Sequence, residues 1–161
     1  ELAAEIGAVS ADHLIHASSE GMHKMAGAGI TAVFLPATCF SSFLPYANAR
    51  SFIEANVLVA IGTDYNPNCL CESIQFTIAL ACRYLKMTPA EAIAASTINS
   101  AHTLGLAHEI GSLEVGKQAD VIILDVPSHE FLPYHFGVNL VETVVKKGKI
   151  VFNKTCSDFN G

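Results

Sequence analysis

What most limits the fold of this chain is a pair of apolar runs that do not alternate. "ITAVFLPA" (30–37) and "VLVAIGTD" (57–64) carry consecutive apolar residues where a strand with one wet face would read apolar, polar, apolar. Strands of this kind are buried on both faces, as in parallel sheets covered by helices. The segments around them change to a helical period. "SSEGMHKMAGAG" (18–29) can be capped by Ser18 or Ser19, puts Met22, Met25 and Ala26 on one face, and stops at Gly27 and Gly29. "YANARSFIEAN" (46–56) sets Ala49, Phe52 and Ile53 on one side and stops at Asn56. With "GAVSADHL" (7–14) as a leading strand, three strand-helix units are predicted, an α/β pattern with a parallel sheet.

Beyond Asp64 the helices lengthen. "ESIQFTIALACRYL" (72–85) aligns Ile74, Ile78, Ala81 and Leu85. "TPAEAIAASTINSAHTLGL" (88–106) opens on Thr88, Pro89 and Glu91, the pattern of a capping box with Pro at the first helical position, and closes at Gly105. From Gly111 the pattern turns to strands, "GSLEVGKQADVIILDVP" (111–127) and "LVETVVKKGKIVFN" (140–153), with a hairpin at Gly148 and no further helix. A closed barrel of eight strand-helix units takes about 250 residues, so three units read as the last part of a larger protein, with an open apolar sheet edge near Val9.

Composition narrows the partners. The net charge is −6, and the nine Lys and Arg are scattered without a basic stripe, which argues against nucleic acid and against an anionic membrane surface. No apolar run reaches the roughly 18 residues of a membrane span. The five cysteines, Cys39, Cys69, Cys71, Cys82 and Cys156, are odd in number and irregular in spacing, so reduced thiols and a cytoplasmic location are expected.

The first strand ends near His13 and the third near Asp64, and carboxyl ends of parallel strands are where barrel enzymes keep their reactive groups. Asp64 either caps the next helix or holds something; the helical pattern starting nearer Glu72 makes capping awkward. His13 is able to hydrogen-bond a substrate carbonyl or to be satisfied locally. Asn66 supports a turn before Pro67 or touches a ligand. His16 reads as structural, and His102 and His108 as surface groups. His135 either lines the site or braces the tail, and Arg50 reads as part of a solvated helix face. Cys69 and Cys71 lack the second pair that structural zinc requires and read as core or loop thiols.

"SADHL" (10–14), "GTDYNPN" (62–68), "GSLEVGKQADVIILD" (111–125), "LPYHFGVN" (132–139) and "VVKKGKIV" (144–151) together resemble the amidohydrolase superfamily over nearly the whole chain. The resemblance implies the last three strand-helix units of a (β/α)8 TIM-type barrel with its C-terminal helices (1–108), then strands of a small β-sandwich (109–161). It implies hydrolysis of a small cyclic amide with one divalent metal ion, Zn2+ or Fe2+, and it allows a homodimer. Asp64 matches the family's metal-binding and proton-accepting aspartate, His13 a catalytic and substrate-binding histidine, and Asn66 a substrate-binding asparagine. The family's His-x-His, a further histidine and a glutamate would lie before Glu1, so this chain alone is expected to be inactive. The rival expectations are another cyclic amidase, a deaminase, or a shortened chain that acts as an interaction piece.

Overall fold

A computed structural model describes residues 1–154, which leaves Cys156 and the end of the 109–161 segment outside the described residues. A one-turn helix, α1 (Leu2–Glu5), leads into β1 (Ser10–Asp12) and α2 (Ser19–Ala28). The Ser18 hydroxyl accepts the Gly21 N–H at 3.0 Å, and the helix ends through Gly29 at φ 67, a left-handed conformation free of a Cβ clash. Gly27, expected to help stop the helix, lies inside it. Next come β2 (Thr31–Phe34), α3 (Pro36–Ser41), α4 (Ala49–Glu54) and β3 (Val59–Ile61). The apolar run that predicts a strand through Pro36 ends as strand at Phe34, and α3, which the pattern does not predict, follows. Proline belongs at the first turn of a helix, where its missing N–H leaves no bond unmade.

The order β1-β2-β3 is parallel throughout, with Ser10 opposite Thr31 and Ala32 opposite Val59. Every residue of β3 is buried, and Phe34 meets Phe52 of α4 edge-on at 5.2 Å. The α/β expectation holds, and the non-alternating runs are the sheet's covered strands.

α5 (Ile74–Tyr84) is capped by Ser73 and buries Ile78 and Ala81, while Ile74 is left at the surface. The single helix expected over 88–106 is two, α6 (Pro89–Ser96) and α7 (Ile98–Thr103), broken at Thr97. The cause lies in β3. On the β2 side, Leu58 O accepts from Ala32 N and Gly62 N donates to Phe34 O, so by alternation the Val59 and Ile61 carbonyls face the opposite edge. There the Asn99 amide donates to Val59 O at 2.8 Å and the Ser100 hydroxyl lies 3.3 Å from Ile61 O. The break turns these side chains onto carbonyls that otherwise have no strand partner.

The capping box at Thr88 and Glu91 forms as the sequence suggests. Glu91 also takes a forked pair of bonds from Arg50, at 3.0 and 2.7 Å. Arg50, read as solvated, therefore ties α4 to α6. With Arg50 beside it and Thr88 behind it, the Glu91 carboxyl is lowered to about 2.

The tail forms an antiparallel sheet of β4 (Val121–Leu124), β5 (Val141–Lys146) and β6 (Lys149–Asn153). Lys147 and Gly148 both take positive φ, 51 and 74, as a tight two-residue hairpin demands. The expectation of no further helix is corrected by the short α8 (Phe131–Tyr134), which packs on α5. Arg83 donates to Pro133 O at 2.6 Å and lies over the Phe136 ring, and Gln75 accepts the Leu140 N–H. No helix among the described residues is long and apolar enough to cross a membrane.

Candidate functional site

Both outer strands of the parallel sheet leave it through left-handed backbone at non-glycine residues: His13 (φ 65) and Leu14 (φ 55) beyond β1, Asp64 (φ 54) beyond β3. Such conformations cost on the order of 1–3 kcal/mol each and persist where neighbours over-determine them. The His13 N–H stays in the ladder, donating to Val33 O at 2.9 Å, while the chain turns over the carboxyl end of the sheet.

These turns bring His13 Nε2 to 3.8 Å from Asp64 Oδ2. The same oxygen accepts the Thr38 hydroxyl, from α3, at 2.5 Å. Asp64 caps no helix, because Ser73 fills that position for α5. Asn66 donates from Nδ2 to the Asp64 carbonyl at 2.7 Å and accepts the Asn68 N–H on Oδ1 at 2.8 Å. Backbone bonds between Asn66 and Cys69 close the loop as a tight bridge. The Asn66 amide thus holds its own turn and keeps one donor and one acceptor position spare.

His13, Thr38, Ser42, Asp64, Asn66 and Asn68 line one hollow of about 690 Å³. No Lys or Arg is among its lining residues. The three residues singled out from the sequence meet there, and Thr38 joins them. The signal for Thr38 was a hydroxyl on the first turn of a Pro-started helix directly after a strand, which is visible only once α3 is recognised.

Other candidates lie elsewhere. His16 is exposed and does not line the hollow. His135 is exposed, with its ring 5.4 Å from that of Phe131, and does not line it either. His102 sits at the exposed end of α7, and His108 pairs with Glu109 at 3.2 Å. Cys69 is buried with its thiol 3.6 Å from Thr63 O, and Cys71 points to Ser73 O, as expected of core and loop thiols.

An imidazole and a carboxylate are donors of the kind a divalent transition metal takes. A catalytic zinc takes three protein ligands, however, and among the described residues no group of three His, Cys, Asp or Glu converges to hold an ion. The donors present do not complete a metal site.

The amidohydrolase family model matches residues 44–151. The imidazolonepropionase of Parabacteroides distasonis is 55% identical over 93% of this chain, which spans 36% of that protein's length. An amidohydrolase from Thermotoga maritima superposes with a TM-score of 0.75 at 26% identity, covering 95% of this chain and 39% of the other. An adenosine deaminase from Xanthomonas campestris, solved with bound zinc, gives 0.70 at 27% identity, covering 91% and 38%. The chain thus spans little more than a third of the length of the proteins it matches.

Proposed function

This chain belongs to the amidohydrolase family, and we propose from that premise that it is part of an imidazolonepropionase, which opens the ring of imidazolone-5-propionate to N-formimino-L-glutamate in histidine degradation. The parallel sheet and its helices form an arc of a (β/α)8 barrel, and β4–β6 form part of a small β-sandwich. The barrel reading is supported by the hollow at the carboxyl ends of parallel strands. The sandwich reading is supported by the antiparallel β4–β6 sheet, whose Ile122, Ile150 and Val151 side chains are exposed.

The observation that carries the proposal is the pairing of His13 with Asp64, brought to 3.8 Å from opposite edges of the sheet over one hollow. In a longer protein Asp64 would help hold one divalent ion, Zn2+ or Fe2+, together with donors that these 161 residues do not supply. When bound, such an ion supplies a Lewis acid and a water of lowered pKa.

The residues of this chain take the remaining tasks. Asp64 accepts the proton of the attacking water as its oxygen adds to the ring carbonyl carbon. The His13 ring donates a hydrogen bond to the carbonyl oxygen, where negative charge develops. The proton held by Asp64 passes to the ring nitrogen as the C–N bond breaks, leaving a carboxylate and a formimino group. The spare amide positions of Asn66 hold the ring or the propionate. Cys39, Cys69, Cys71 and Cys82 form no disulfide among the described residues, which is the pattern expected of a cytoplasmic setting.

The test assays the longer protein against imidazolone-5-propionate and a panel of other cyclic amides and aminopurines. Ring opening of the imidazolone is expected, with kcat reduced about 10²- to 10⁴-fold by Asp64→Ala. Release of ammonia from an aminopurine without ring opening would move the assignment to a deaminase.

A further inference from the structure

We propose that Thr38 is a positioning residue, whose hydroxyl holds Asp64 in its working orientation. The inference rests on the function proposed for Asp64 and extends it to a residue on a different element.

The backbone of Thr38 is anchored from both sides. Its N–H donates to Leu35 O at 3.1 Å, and its carbonyl accepts from Ser42 N at 2.9 Å and from the Ser41 hydroxyl at 3.2 Å. Pro36 fixes the first φ of α3, and Pro36, Ala37 and Cys39 are buried around it. A β-branched side chain on such a turn has few rotamers, so the hydroxyl is delivered at a defined point. That point is Asp64 Oδ2, at 2.5 Å.

Nothing else among the described residues restrains the carboxylate as tightly. Oδ1 makes no hydrogen bond there, and at 3.8 Å His13 is beyond hydrogen-bond range of Oδ2. Held at Oδ2 by the Thr38 hydroxyl, the carboxylate keeps one orientation over the hollow, with Oδ1 left for the reacting water. Thr38 thus acts through Asp64 and itself takes no proton in the reaction.

The experiment compares Thr38→Val, Thr38→Ser and Asp64→Ala in the longer protein, measuring kcat, KM, bound metal and thermal midpoint. Valine keeps the shape of threonine and removes the hydroxyl. Thr38→Val should lower kcat about 10- to 100-fold, the usual cost of losing a group that orients a catalytic side chain, with KM and bound metal unchanged. Thr38→Ser should recover most of the loss, and a thermal midpoint near that of the parent excludes misfolding as the cause. Full activity in Thr38→Val alongside an inactive Asp64→Ala would overturn the role of Thr38 and leave that of Asp64 standing. Serine as defective as valine, a rise in KM at constant kcat, or loss of the metal with the hydroxyl would each overturn it as well. An active Asp64→Ala would bring down the function assigned to Asp64 and this inference with it.

Discussion

In the parallel sheet every residue of β3 is buried, whereas in the antiparallel sheet Ile122, Ile150 and Val151 are 58%, 66% and 63% exposed. Both have three hydrogen-bonded strands, although each pairing of the antiparallel sheet carries one register shift. The difference is cover. The β1–β3 sheet carries its own helices, and its open parts are an edge and the strand ends where His13 and Asp64 meet. The β4–β6 sheet leaves Ile122, Ile150 and Val151 exposed among the described residues, on both of its faces. His13 and Asp64 meet at the open strand ends of the parallel sheet, over a β3 that is buried throughout.

The contrast is open to test by substitution. Phe34, fully buried against Phe52, should cost about 3–5 kcal/mol when changed to Ala, measured by urea denaturation. Ile150→Ala on the open sheet should cost about 0.5 kcal/mol or less. Equal losses would mean that the second sheet is covered in solution. Asn99→Ala should cost about 1–3 kcal/mol, because it strips the bond from the Val59 carbonyl and frees α7 from the edge of β3.

Two ion pairs sharpen the comparison under acid. Arg50 holds Glu91 at about 2 against an ordinary value of 4.5. The folded value is the lower one, so the stabilisation is complete above pH 4.5 and is lost as the pH falls toward 2. Both side chains are about one-third exposed, so the effect should stay near 1 kcal/mol or below, and Arg50→Met should flatten this part of the stability–pH curve. On the other sheet Asp120 is lowered from 3.8 to about 2, first by its bond to the Lys146 ammonium and then by the Lys147 N–H. That pairing is local to the hairpin. Asp120→Asn should speed hydrogen exchange at Lys147 as its bond weakens, and leave the β1–β3 amides unchanged.

Much of this was legible in the chain because it is locally encoded. The unbroken runs at 30–37 and 57–64, the Ser18 and Thr88 caps and the Lys147–Gly148 turn each depend on residues within one turn of one another. Asp64 stands out as a carboxylate at the end of an apolar run, whereas His13 is singled out by the family resemblance. What escaped reading depends on distant partners. The break at Thr97 answers carbonyls some 40 residues earlier, and Arg50 finds Glu91 only when α4 and α6 are packed together. Thr38 escaped for both reasons, since α3 was hidden behind a proline read as the end of a strand, and its bond spans 26 residues.

The division of the metal site between this chain and the rest of a longer protein is tested most directly by elemental analysis. The 161-residue chain and the longer protein would be loaded with Zn2+, passed through gel filtration and measured side by side. Two donors are too few to retain an ion, so the chain should carry almost no zinc and the longer protein about one ion. About one ion bound to the isolated chain, and lost on Asp64→Ala, would contradict this division and mean that other residues of the chain complete the site.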